Sequence, residues 1–413
     1  MNDVFSVWVT GLGCVSAAGA DASATMRGVE KTIRPQTRPV FWEEDRSGFS
    51  CPPGLVCPVR DAPGQPLSVS DMQKPASWRS STIKDCTFLL RQALEEALRS
   101  AGLADIPDAS GICIGTTAGC SLHFLQDYSA ARKRRASADA AFPPGGYAAA
   151  EAFFDTSLAL DLAERAGPAL TVSNACTSGA DAIGMAAQWI RAGVCDIALA
   201  GGVDTLNILT YIGFNKLMVY SPEPCKPFAL NRKGLNLGEG AAVLILENET
   251  RARQRGVQPR AVLSGFGAAS DAYHLTAPHP QGRGLRAAIA AALAQAGLRT
   301  TDISFINAHG TATIENDNIE SRIYNEIFAD TPVWASKGST GHCLGASGAI
   351  EAVLTILALS AGVVPSSVAE RDYGEVLLPR LTLSPVPAGT GYAMSVSAGF
   401  GGGNAALVFS RAI

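Results

Sequence analysis

Three side chains in this sequence have the types and settings that nucleophilic chemistry needs. Cys176 lies in "TVSNACTSGADAIGMAAQWIRAG", where a β-like lead-in passes through small residues into a long amphipathic helix. A helix N-terminus carries partial positive charge and free N–H groups, both of which stabilise a thiolate. Cysteine is also a small hydrophobe that is often simply buried, so this segment alone leaves both readings open. His309, in "NAHGTATIENDNIE", follows the short strand "DISFI", and His342, in "SKGSTGHCLGASGAIEA", stands just before another helix. The other histidines, His123, His274 and His279, sit in polar loops and read as surface or loop residues. One histidine in a turn is usually structural. Two in matching settings, with a helix-mouth cysteine, point to a hydrogen-bonding or acid–base pair serving a nucleophile.

The elements that must hold these residues occur twice. "VWVTGLGCVSAAG" resembles "AVLSGFGAASDAY", and "GICIGTTAG" resembles "ISFINAHGT": each is an apolar strand followed by a glycine-containing turn. A strand feeding a small-residue loop and a long helix also recurs in "VWASKGSTGHCLGASGAIEAVLTILALSAG". Strands alternating with helices indicate βαβ units and a mainly parallel sheet. The expectation is a duplicated α/β fold, with halves at 1–250 and 257–413 joined through the polar stretch "RARQRGVQPR". The first half carries extra loop-rich segments near 30–81 and 120–155. In open parallel sheets functional loops gather at the C-terminal ends of strands, where Cys176, His309 and the loop of Lys337 and His342 all fall. Neither Gly-x-Gly completes a dinucleotide fingerprint, so a nucleotide-dependent oxidoreductase is a weak reading.

Bulk composition narrows the function classes. The chain has 413 residues, 47% hydrophobic and 17% charged, and its 42 glycines alternate with apolar runs, as in a closely packed protein rather than a disordered one. A net charge of -4 gives no global attraction to nucleic acid or to an anionic membrane. The opening "MNDVFSVWVTGLG" lacks the basic and apolar regions of a signal peptide. The apolar stretch from Ala349 to Pro365, interrupted by Glu351 and Thr355, reads as a buried helix and not a membrane span. Ten cysteines without C-x-x-C pairs argue against a disulfide scaffold or a metal site and for a reducing cytoplasm.

"NACTSGADAIG", "HGTATIENDNIE", "SKGSTGHCLGASGAIEA" and "AGFGGGNAALVF" together resemble the signature blocks of the elongating β-ketoacyl-acyl carrier protein synthases. "DAYHLTAPHPQG" and "PFALNRKGLNLGEGAAVLILE" are also similar to family blocks, and the likeness covers nearly the whole chain. The resemblance implies a thiolase-like αβαβα layered fold of two duplicated halves with mainly parallel mixed sheets, usually assembled as a homodimer. It implies that Cys176 holds an acyl chain as a thioester, and that the backbone N–H groups of Cys176 and Phe400 form the oxyanion hole. Phe400 would also gate the site. His309 and His342 would bind the malonyl thioester carbonyl during decarboxylation; a second histidine separates this family from starter-type synthases (Cys-His-Asn) and thiolases (Cys-His-Cys). Lys337 and Glu320 would form an ion pair organising the histidines, Asp317 would fix the same loop, and Thr311 and Thr313 would bind the pantetheine arm. No cofactor is implied beyond the phosphopantetheine arm of acyl carrier protein.

That implied partner is acidic, so a net-negative chain needs a local basic patch. The densest run, "RKRR", offers Arg132, Lys133 and Arg134 as a docking cluster, with Arg79 and Lys84 as possible additions, although basic runs are usually just solvated faces. The diverged N-terminal part and the region 116–144 put a housekeeping fatty acid role in doubt and leave a specialised pathway, such as polyketide, aryl-polyene or unusual lipid assembly, as an open alternative within the same chemistry. Two other readings stay open. A non-elongating chain-length subunit of a heterodimeric synthase typically lacks the cysteine, and a degradative thiolase would carry a second cysteine where "GFGGG" stands.

Overall fold

The first apolar run, Val7–Ser16, forms β1, and all ten of its residues are buried. Such uninterrupted burial marks a strand covered on both faces. In the computed structural model the residues described are 6–33, 55–59, 82–117, 166–328, 330–367, 373–389 and 391–412. Arg132, Lys133, Arg134 and Arg79 lie outside them, as does most of each loop-rich segment of the first half.

The first half continues with α1 (Ala22–Glu30), β2 (Val56–Cys57), α2 (Thr82–Ser100), β3 (Ser110–Gly115), β4 (Ala166–Val172) and α3 (Ser178–Arg191). It ends with β5 (Ile197–Asp204), α4 (Ile208–Lys216), β6 (Leu237–Gly238) and β7 (Gly240–Asn248). After α5 (Glu249–Gln254) come β8 (Ala261–Ser270), α6 (Arg283–Ala296), β9 (Ile303–Asn307), α7 (Ile314–Ile327), β10 (Val333–Trp334) and α8 (Lys337–Thr340). The chain closes with α9 (Ser347–Ala361), β11 (Val363–Val364), β12 (Val386–Pro387), β13 (Tyr392–Ala398) and β14 (Gly403–Arg411).

Ten strands form one sheet in the order β10-β9-β13-β14-β8-β1-β7-β5-β3-β4. The order is symmetric about the β8–β1 contact: β1 answers to β8, β7 to β14, β5 to β13, β3 to β9 and β4 to β10. Two look-alike pairs, β1 with β8 and β3 with β9, therefore occupy equivalent places, whereas the segment Val333–Gly362 answers to β4 and the helix after it and not to the opening strand it was likened to. The sheet is mixed, but parallel pairing is confined to the outer strands of each half, β5-β3-β4 and β13-β9-β10. The central pairings are antiparallel; β13 and β14 form a hairpin across the short glycine-rich turn at 399–402, and their counterparts β5 and β7 are antiparallel although a long connection separates them.

Helices α3 and α9 pack against each other and against strands of both halves, while α2 covers the outer face of the first half and α6 that of the second. The result is a layering of helix, half-sheet, helices, half-sheet, helix, the two halves of the one sheet being joined at β8–β1. Leu344–Ala361 is long and apolar enough to span a membrane by composition, but 83% of that stretch is buried inside the fold. A helix apolar all round is expected where both faces meet protein. Each buried Leu, Ile or Val there contributes about 1.5–3 kcal/mol relative to exposure.

Candidate active site

The turn between β4 and α3 presents the cysteine. Ala175 adopts a left-handed φ of +48°, which turns the chain sharply before Cys176. The hydroxyl of Ser178 donates to the Ala175 carbonyl (2.6 Å) and accepts the Asn174 N–H (2.8 Å), locking that turn. Asp181 accepts from the Asn174 amide (2.8 Å) and lies 2.7 Å from the Thr177 hydroxyl. Cys176 itself precedes the helix cap Thr177 and is only 5% exposed.

Burial decides the state of this thiol. Desolvation pushes its pKa up to about 12, against the opposing pull of the Lys337 charge and the Phe400 N–H aimed at the sulfur. A helix N-terminus contributes about 0.3–1 kcal/mol, under one pKa unit, so burial wins. The helix-mouth position does not make Cys176 a resting thiolate; burial keeps it a thiol.

His309 leaves the end of β9 in a turn held by Glu320, whose carboxylate accepts the His309 N–H (2.9 Å) and the Gly310 N–H (2.7 Å). Asn316 (2.7 Å) and Tyr324 (2.7 Å) complete the coordination of Glu320. The expected Lys337–Glu320 ion pair is thus replaced: Glu320 is occupied by backbone and neutral donors, and Lys337 pairs with Glu351 of α9. Lys337 Nζ also donates to the His309 carbonyl (2.5 Å) and lies 3.2 Å from His309 Nδ1. Burial raises the carboxyl of Glu351 to about 7 even beside this ammonium group. Asp317 accepts the N–H groups of Phe228 (2.6 Å) and Ala312 (3.2 Å) and faces the Arg232 guanidinium, so it does fix the loop after His309.

The two histidines are set edge to face, their ring centres 5.3 Å apart. Burial, then the Lys337 charge, holds both well below the ordinary histidine value, so both are neutral. His309 Nδ1 faces an ammonium donor, and His342 Nδ1 accepts the Leu344 N–H (3.3 Å) beside the Ser347 hydroxyl (3.0 Å). A neutral imidazole that accepts at Nδ1 carries its proton on Nε2. Each ring therefore keeps one N–H to donate.

Cys176, His309, His342, Thr311, Thr313 and Phe400 all line one cavity of about 360 Å³. The hydroxyls of Thr311 and Thr313 are 2.8 Å apart. Phe400 stacks on Phe214 of α4, centres 5.3 Å apart at 19°, and Phe214 in turn meets His342 edge-on at 6.5 Å. Sequence reasoning passed over Glu351 and Phe214. Glu351 left a signal, an acidic residue inside an otherwise apolar helix. Phe214 left none.

Residues 5–252 match the Beta-ketoacyl synthase, N-terminal domain and residues 260–369 the Beta-ketoacyl synthase, C-terminal domain. The tetracenomycin polyketide synthase ketoacyl synthase alpha subunit of Streptomyces glaucescens is 34% identical over 359 residues, 81% of this chain and 82% of that protein. A ketosynthase in complex with its chain length factor from Xenorhabdus doucetiae superposes with a TM-score of 0.75 at 29% identity, covering 100% of this chain and 99% of that one. A type II polyketide synthase acyl carrier protein in complex with its ketosynthase gives a TM-score of 0.83 at 25% identity, over 99% and 100% of the two chains. With its duplicated fold and a cysteine that shares one cavity with two neutral histidines, the chain belongs to the β-ketoacyl synthase family, enzymes that build 3-oxoacyl thioesters for fatty acid or polyketide chains by decarboxylative condensation.

Proposed function

We propose that Cys176 carries the growing acyl chain and that His309 and His342 act on the malonyl thioester, through the following steps. The Cys176 sulfur attacks the carbonyl of an acyl thioester and its proton passes to the departing pantetheine sulfur, because both imidazoles hold their proton on Nε2 and have Nδ1 engaged. The tetrahedral oxyanion is met by the N–H groups of Cys176 and Phe400, and the pantetheine thiol leaves with the proton. The malonyl thioester then enters, and its carbonyl accepts hydrogen bonds from the two Nε2–H groups. The bond to the carboxylate breaks, carbon dioxide departs, and the electron pair becomes an enolate. The enolate carbon attacks the acyl carbonyl on Cys176, a carbon–carbon bond forms, and the sulfur leaves as the thiolate and is reprotonated.

The observation that carries this reading is the pair of Nδ1 acceptors, which leaves both neutral rings as donors in the cavity of Cys176. Lys337 and Glu351 act through His309, holding its tautomer. Thr311 and Thr313 would take the pantetheine amides, and Phe400, resting on Phe214, would swing to admit the chain.

The partner in this proposal is an acyl carrier protein, supported by the carrier complex of the related ketosynthase. Strand β4, at the edge of the sheet, is the natural dimer seam, joining a second copy or a paralogue such as a chain length factor. The test is malonyl decarboxylation by folded His309→Ala and His342→Ala proteins, matched to wild type by thermal melting. Loss of either donor should slow carbon dioxide release about 100- to 1000-fold. Unchanged release in both variants would remove the histidines from the mechanism.

A further inference from the structure

Leu217 and Met218 follow α4 and stand at the rim of the cavity that contains Cys176. Met218 is 88% exposed, and Leu217 and Ile314, also on the cavity, are 43% and 51% exposed. Met218 further holds a left-handed backbone, φ +56°. It is the residue just past the cap Leu217, where the helix stops through Met218 N–H to the Asn215 carbonyl (2.9 Å) and Val219 N–H to the Phe214 carbonyl (3.4 Å). Glycine ordinarily fills that position, because a Cβ is strained there. The chain thus keeps a large apolar side chain where it strains the backbone and lies in water. Neither burial nor helix termination accounts for it, and a contact made only in complex does.

We propose that Leu217, Met218 and Ile314 form an apolar seat for the body of the acyl carrier protein that delivers the thioesters, an inference that rests on the function proposed above. A thioester bound for Cys176 passes this rim, and the pantetheine arm fills the cavity behind it. A side chain as exposed as Met218 therefore meets what stays outside, the carrier itself. Unbranched and polarizable, methionine adapts well to a partner surface. Lys216 and Lys233, both exposed, flank the seat and suit an acidic partner; Lys233 lies on the cavity and is shared with Glu223 at 2.8 Å, and Glu315 is the acid on the same rim.

The test compares Met218→Gly and Met218→Leu with wild type, using one acyl group presented on carrier protein or on free pantetheine. Met218→Gly should not lower the melting temperature, since glycine relieves the strained turn. Its kcat/KM for carrier-borne acyl should fall about fivefold or more relative to the pantetheine thioester, as for an interface anchor, and Met218→Leu should restore it. An equal fall on both donors, or no fall on either, would overturn the seat while leaving the condensing function intact. Wild-type protein that takes the acyl group from neither donor would instead overturn the condensing function, and the seat with it.

Discussion

At the scale of single residues, environment outweighs position. The place of Cys176 in the cavity was legible because its residue type and the strand–turn–helix around it are local features. Its protonation state was not, because burial is set by the second half of the chain closing over it. With the thiol raised to about 12, alkylation by iodoacetamide should quicken about tenfold per pH unit from pH 7 to pH 9, without a plateau. A plateau near pH 7 would show a standing thiolate and contradict the assignment. The partner of Lys337 was misread for a related reason. Glu320 is near the histidine in sequence, but its oxygens are taken by the His309 and Gly310 N–H groups, and Glu351 reaches Lys337 only through the packing of α9. Both members of that pair are buried, so Glu351→Ala should cost about 3–5 kcal/mol in urea unfolding by stranding an ammonium group. Glu351→Gln, which keeps an acceptor, should cost less; equal losses would mean that the charge is immaterial.

At the scale of elements, the site depends on how closely α3 approaches the loop before α9. A methyl group at Gly179, in the first turn of α3, would lie 2.7 Å from the Gly345 carbonyl oxygen and 3.0 Å from the Ala349 nitrogen. Those contacts are backbone on both sides and cannot yield as a flexible side chain does. Gly179→Ala should therefore push the cysteine-bearing helix away from the histidine-bearing loop, lowering stability by about 1–3 kcal/mol in denaturant. Condensing activity should drop more steeply than stability implies, and a fully active, equally stable variant would refute the close-approach argument. The duplicated strand–helix units were readable from sequence because burial imposes repeating apolar patterns. The antiparallel centre of the sheet was not, because the glycine-rich run "GFGGG" read as part of the site and not as the hairpin turn between β13 and β14.

At the scale of the whole molecule, β4 pairs among the described residues only with β3. An edge strand beside the nucleophile's helix needs cover, so sedimentation of the purified chain should give twice the monomer mass; a monomer that dimerises only with a paralogue would mark a heterodimeric synthase. Two halves alike in strand order divide the labour, the first supplying Cys176 and the second both histidines, and the cavity forms where they meet. That division was visible in sequence from the motifs alone, whereas the cavity's outer wall at Phe214 and Met218 depends on how α4 lies across the second half. The most direct measurement is a chase followed by mass spectrometry: load the protein from an acyl carrier thioester, map the adduct, then add malonyl carrier thioester. The account predicts an acyl group on the Cys176 peptide that vanishes in the chase as a 3-oxoacyl thioester two carbons longer appears. An adduct on another residue, or a Cys176 adduct that persists while the longer product forms, would contradict it.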